Sequence, residues 1–364
     1  MGPVRTLARR ALSVALVLAA IAAVVGFSNG MVPCEVLAAQ PSCQVALEPG
    51  PVEDSLELIT VSDATVFPPE EGSLRLTTVA VQEQLGLVSW VRAHASGAVE
   101  VVPREQLYPP GVDREEIAER NALSMRDSQQ VATIVALERL GYDLEPAGAL
   151  ILSVEEDAVT DELEVDDVVV AVDDAPVRES TEAVEAIRAR EPGDTVTLTV
   201  RAAQGERTVE VVLGPNPLDP TLPYVGVLLT TDVDLPVDIA VDAGVIGGPS
   251  AGLIFALSLL ELLEPEPLLG ELAVAGTGTL ARDGSVGSVG GVTQKVVGAT
   301  DPHDGSPPAE VFLVPQDDLD DALEAPVRTD ILIVPVGSLE DALEALELLR
   351  SGRTPADGVV LAAS

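Results

Sequence analysis

The run from Ala11 to Val32, ALSVALVLAAIAAVVGFSNGMV, constrains this chain more than any other stretch, because it holds no charge at all. It is close to the roughly 20 residues that an α-helix needs to cross the hydrocarbon core of a bilayer. Arg5, Arg9 and Arg10 precede it and no positive charge follows directly. That asymmetry puts the N-terminus in the cytoplasm and the rest of the chain beyond the cytoplasmic membrane. A cleaved signal peptide is the competing reading, with VLAAQ at Val36 to Gln40 as its candidate cleavage region. No small-x-small site follows the run directly, which favours an uncleaved, single-pass anchor. Cys34 and Cys43 fall just after it, on the oxidising side, where a short-loop disulfide and two free thiols both remain open. Pro33 speaks against lipidation of Cys34, since that cleavage needs a small residue there.

Composition excludes one class of partner. The formal net charge is -40, and nucleic-acid binding needs clustered Lys and Arg. A solvated acidic surface is the simpler reading. Aromatic residues are only 2%, so cores must be built from Val, Leu, Ile and Ala.

Beyond the anchor (residues 1–32), the pattern divides into an N-terminal β/α segment (33–147), a β-rich unit (148–214), a Pro-rich linker (215–223), an α/β domain (224–352) and a frayed tail (353–364). In the first segment, SLRLTTVAV is a strand by its β-branched content, and residues 113–141 form a long helix capped by Asp113 and ended by Gly141. The next unit runs strand, strand, helix, strand, strand: ALILSV, DVVVAVDD, STEAVEAIRAR with Ser180 as its cap, TVTLTVRA and RTVEVVL. The α/β domain opens with GVLLTT and VDIAV, continues through a helix from Ser250 to Leu263 and one starting near Gly291, and closes on a helix from Leu339 to Arg350. The fold class is therefore α+β multidomain.

Two glycine-rich turns carry the chemistry. GGPSAG, Gly247 to Gly252, places Ser250 between glycines, Pro249 and Ala251, ahead of an apolar helix. A serine hydroxyl needs a base to become a nucleophile. The two histidines, His94 and His303, lie in no hydrolase-triad context, and GGPSAG is not a G-x-S-x-G elbow. They are also too far apart in sequence to suggest a zinc site, and no HExxH occurs. The remaining base is Lys295, the chain's only lysine. Arginine stays protonated at accessible pH, whereas a buried lysine can lose its proton. Lys295 sits in GSVGGVTQK, behind Gly290 and Gly291. A helix start at Ser250 would also bring free N–H groups and a positive dipole end to a developing oxyanion.

These stretches carry two resemblances. Residues 148–214, with LEVDDVVVAVDDAPV, resemble a PDZ domain, although Asp166 stands where Gly is usual; PAGAL at Pro146 to Leu150 is the candidate carboxylate-binding loop. GGPSAG with its helix, then TGTLARDGSVGSVGGVTQK, resembles the Lon protease catalytic domain, the S16 peptidase family. Carried over residue by residue, Ser250 matches the nucleophile, Lys295 the general base, and Thr277-Gly278 the strand segment before the lysine. Thr279 and Gln294 stand where that family often has Glu. The whole arrangement, including LEPGPVEDSLELI and DSQQVA, resembles the bacterial PDZ-containing Lon-like proteases related to the YlbL group.

The resemblance implies an ATP-independent serine endopeptidase with a Ser250–Lys295 dyad and no cofactor or metal. No G-K-[ST] phosphate loop exists around the single lysine. Its partners would be flexible or unfolded extracytoplasmic or membrane proteins, captured through the PDZ-like unit. Lon-type domains often form rings, so self-assembly is a further implication. The alternative is a membrane-anchored PDZ scaffold with an inactive protease-like domain.

Overall fold

The computed structural model describes residues 40–363, with Cys34 and Val36, apart from positions 70, 110, 111, 156, 203, 218, 245, 303 and 304. The expected anchor and His303 lie outside the described residues. Among the described residues, no helix is long and apolar enough to cross a membrane.

In chain order the principal elements are β1 (Gln44–Asp54), β2 (Ile59–Ser62), β3 (Ser73–Gln82), α1 (Leu87–Ala95), β4 (Glu100–Pro103) and α2 (Arg114–Arg139). Then come β5 (Pro146–Val154), β6 (Val168–Val172), α3 (Ser180–Arg188), β7 (Thr195–Ala202), β8 (Gly205–Val212) and β9 (Val227–Val233). The C-terminal part holds β10 (Asp238–Val241), α4 (Gly252–Leu263), β11 (Ala273–Gly276), α5 (Val292–Thr300), β12 (Val311–Pro315), β13 (Ile331–Val336), α6 (Leu339–Arg350) and β14 (Val359–Leu361).

Two sheets organise these elements. The larger has seven strands in the order β14-β13-β12-β11-β3-β1-β4. Its centre is parallel: β11 pairs in parallel with both β12 and β3, and β12 with β13. Side chains alternate across it with period two. Val311 and Leu313 join the core built on α4, while Phe312 and Val314 join the one built on α5. The result is a three-layer α/β/α body. Helix α4 is apolar on nearly every side and buried over almost its whole length, as expected for a helix enclosed by protein. It packs against β3, α2 and α6. Its one buried acid, Glu261, accepts at Oε2 from the backbone N–H groups of Leu268 and Leu269 at 2.7 and 3.1 Å.

The smaller sheet runs β9-β5-β6-β7-β8, with α3 packed on it over a core that includes Ile151, Val169, Val196, Val200 and Val211. Asp166 adopts φ 70°, the left-handed region that glycine favours and Asp tolerates better than most residues. The substitution is thus compatible with the turn. Its neighbour Asp167 is buried and pairs with Arg207 at 2.7 Å.

Several boundaries differ from the sequence expectation, for one physical reason: strand pairing between distant segments leaves no local signal. The 33–147 segment is not separate, since β1, β3 and β4 complete the large sheet and β2 pairs with β10. GVLLTT, assigned to the α/β domain, is β9 and pairs antiparallel with β5 in the small sheet. PAGAL is no open loop: it opens β5, which is paired on both sides. Residues 214–215 and 223–224 bridge each other, so the Pro-rich stretch is a closed loop rather than a free linker. The tail supplies β14, antiparallel to β13. Ser180 is the first residue of α3 rather than its cap. The cap is Glu179, in a capping box whose other half is Glu182 accepting from Glu179 N at 3.3 Å, while Ser180 Oγ meets Thr231 Oγ1 at 3.2 Å. Asp113 does cap α2, accepting from Glu115 N at 3.2 Å.

Candidate active site

Ser250 lies in the turn just before α4, which begins at Gly252 rather than at Ser250 itself. The turn is fixed from two sides. On one side stands α2: Gly248 N donates to Asn121 O at 2.8 Å, and Ser128 Oγ to Pro249 O at 3.1 Å. A Cβ on Gly247 would come within 2.9 Å of Asn121 Cβ, and Gly248 adopts φ 90°, so both positions require glycine. On the other side, Ser250 O accepts from Thr277 Oγ1 at 3.0 Å and from Gly278 N at 2.9 Å. Thr277 directly follows the C-terminal end of β11, and a side chain on Gly252 would strike Leu280 N at 2.9 Å.

Lys295 lies in the first turns of α5. Gly291 opens that helix at φ 68°, where a Cβ would sit 2.5 Å from Val79 Cγ2. The lysine is only 3% exposed, and its Nζ donates to Thr277 Oγ1 at 2.9 Å. Burial pushes its pKa down from 10.5 to about 8, and the charge of Asp318 opposes part of that shift. Asp318 is itself buried and accepts from Val289 N at 2.9 Å, pinning the glycine-rich turn ahead of the lysine.

Ser250 and Lys295 line one cleft of about 450 Å³, together with Gly247, Pro249, Ala251 and Gly290. Gly248, Gly252, Gly291 and Thr277 do not line it but lie in, or hydrogen-bond to, the turns that carry Ser250 and Lys295. The ammonium bonds Thr277 rather than Ser250, so Thr277 links the serine turn to the lysine. The backbone N–H groups of Ser250 and Ala251 have no protein partner among the described residues.

The remaining candidates fall elsewhere. His94 is exposed on α1, its Nδ1 against Trp90 O. Gln294 is buried, while Thr279 is half-buried in a short bridge to Gly287. Cys34 and Cys43 are bridged. Sequence reasoning missed three contributors. The first is the wall made by Pro51 and Leu76 to Val79; its strand was legible as SLRLTTVAV but not its neighbour in the sheet. The second is the brace from Asn121 and Ser128. The third is Asp318, which no local pattern distinguishes among so many acids.

Two family models match the sequence: the PDZ domain over residues 122–213, and the Lon protease (S16) C-terminal proteolytic domain over residues 230–348. Together the two matches give the chain the domain content of a PDZ-containing Lon-like protease. Its PDZ portion is similar to solved domains. The PDZ domain of an SdrC-like protein from Listeria monocytogenes is 22% identical, with 23% of this chain and 87% of that one covered and a TM-score of 0.21. A Geobacillus thermodenitrificans structure is 29% identical, with 22% and 94% covered and a TM-score of 0.21. No curated protein matches. The PDZ sheet extends past its own match, because β9 straddles position 230, where the Lon match begins.

Proposed function

We propose that the chain is a membrane-anchored, ATP-independent serine endopeptidase in which Ser250 is the nucleophile and Lys295 the general base. The observation that carries this reading is the chain's only lysine, buried, with a pKa lowered to about 8, in the cleft that also holds Ser250. A general base works best with a pKa near the operating pH, and desolvation brings a lysine, unlike an arginine, toward that range.

In this mechanism neutral Lys295 Nζ takes the proton from Ser250 Oγ as Oγ attacks the substrate carbonyl carbon. The oxyanion forms beside the N–H groups of Ser250 and Ala251 at the start of α4, where the helix dipole favours negative charge. Lys295 then protonates the leaving amine, and the C–N bond breaks. Water attacks the acyl-serine, its proton returning through Lys295, and releases the acid. Thr277 holds Nζ and the Ser250 carbonyl together throughout. The edge of β9, facing outward from the PDZ sheet, supports capture of extended peptides by strand addition. With no phosphate-binding loop in the sequence, the substrates are flexible or already unfolded.

The test is hydrolysis of a casein-like substrate by Ser250→Ala and Lys295→Arg. Both should be inactive, the second because it keeps the charge and removes the base. Full activity in either variant refutes the dyad, and wild-type protein that hydrolyses nothing would instead leave a PDZ scaffold with a silent domain.

A further inference from the structure

Helix α1 is held to the fold by its inner side. Ala93 is buried with Ala46 and Leu85, and Trp90 Nε1 donates to Gln44 Oε1. Its outer side carries Val88 and Val91, 72% and 53% exposed and nearly one turn apart. Val36 is 75% exposed, and Val36 and Val88 are the most exposed large hydrophobics among the described residues.

This face stands where the apolar run enters the fold. The Cys34–Cys43 bridge ties the chain just beyond Val32 to the residue preceding Gln44, the residue that Trp90 grips. The charge there is equally distinctive. In a chain with 60 Asp and Glu, none occurs from Gly86 to Val99, while Arg92 and His94 do. Glu83, at the margin, is paired with Arg114 at 2.7 Å. A chain of net charge -40 is repelled by an anionic bilayer over most of its surface; α1 carries no acid and offers apolar side chains beside a cation, as interfacial helices do.

We infer that the outer face of α1, with Val36, rests on the lipid headgroup surface of the membrane in which the Ala11–Val32 segment is anchored. The inference rests on the anchored reading above. It also defines a substrate class. Strand β1 runs from Gln44 at that surface to Pro51 in the cleft, about 20 Å at the usual rise per residue. The cleft then stands within reach of extracytoplasmic segments adjoining the spans of other membrane proteins.

Trp90 is the chain's only tryptophan and lies on this helix, so it reports without a label. The full chain is reconstituted into phosphatidylcholine vesicles whose acyl chains are brominated near the headgroup, and its emission is compared with that in unbrominated vesicles. A loss of Trp90 emission in the brominated vesicles is expected for a helix at the interface, whose burial reaches the headgroup and acyl boundary. The Val88→Asp/Val91→Asp variant should float with the vesicles yet lose the quenching. Wild-type protein that floats with unquenched Trp90 overturns the inference and leaves the anchor standing, as does quenching that survives in the double variant. Protein that fails to float refutes the anchored reading, and the inference with it.

Discussion

Replacing Lys295 by Met should make the protein inactive and more stable. The magnitude follows from burial. The lysine's pKa falls from 10.5 to about 8, and the difference corresponds to about 3 kcal/mol of cost for keeping the ammonium in the fold. The direction with pH is fixed. Below pH 8 the lysine is protonated in both folded and unfolded chains, and the cost is present in full. Between about 8 and 10.5 the unfolded chain keeps a proton that the folded one has shed, so stability rises with pH. Above 10.5 both forms are neutral and the cost is gone. Methionine has similar volume and no charge, so Lys295→Met should gain up to about 3 kcal/mol at pH 7, less the lost bond to Thr277. The gain should shrink toward zero by about pH 10.5. Urea unfolding of both proteins from pH 6 to 10 measures this, and the other titrating groups cancel in the difference. With Lys295 as the proposed base, the same ionisation sets the peptidase rate. With an ordinary titration the neutral lysine is about a tenth of the total at pH 7, half at pH 8 and about nine-tenths at pH 9. A variant no more stable than wild type at pH 7, or a stability difference that ignores pH, would refute the buried-lysine argument. A peptidase rate flat from pH 6 to 9 would separately remove Lys295 as the base.

Three further outcomes follow from named contacts. Asp318→Asn keeps an acceptor for Val289 N but removes the charge that raises the Lys295 pKa, so the midpoint of the rate–pH curve should move below 8; an unmoved or raised midpoint contradicts the coupling. Gly248→Ala meets open space but at φ 90°, so its cost is backbone strain of about 1 kcal/mol or more. Peptide hydrolysis should drop while the thermal midpoint falls by only a few degrees. Asp167→Asn weakens the bond that Arg207 uses to hold the Asp167 pKa below the ordinary carboxylate range. It should destabilise the PDZ portion by about 1–3 kcal/mol at neutral pH, and the deficit should shrink in acid as the wild-type carboxylate protonates. A pH-independent deficit in melting experiments would assign the loss to packing instead.

What the sequence revealed was local. Asp113 and the charge pattern after it placed α2 to within a residue or two, and the periodicity of LEDALEALELLR placed α6. The glycines around Ser250 and Lys295 marked both turns, because φ values of 90° at Gly248 and 68° at Gly291 admit little else. What it concealed was pairing at long range. SLRLTTVAV reads as a strand, but nothing within it says that β11, some two hundred residues later, lies alongside. GVLLTT follows a proline cluster and precedes the proteolytic motif, so position assigns it forward, whereas its hydrogen bonds run back to β5. Thr277 was visible as part of a motif; its bridging of Lys295 Nζ to the Ser250 carbonyl required the third dimension.

Helix α2 changes how the two domains should be regarded. Its middle turns fix the Ser250 turn through Asn121 and Ser128, while Gln130 Nε2 donates to Thr231 O at 2.6 Å on β9, the edge strand of the PDZ sheet. Arg120 also reaches Glu155, just beyond β5, at 3.6 Å. A peptide added along β9 needs the outward-facing carbonyls of that strand, and Gln130 already holds one of them. Strand addition over Thr231 must therefore displace a side chain less than one helical turn from Ser128, whose hydroxyl holds Pro249. Because interiors are close-packed and yield in discrete steps rather than smoothly, the peptide edge and the serine turn share one rigid support. The long helix thus belongs to the body that carries the Ser250 cleft, and the PDZ sheet is docked against the element that shapes that cleft.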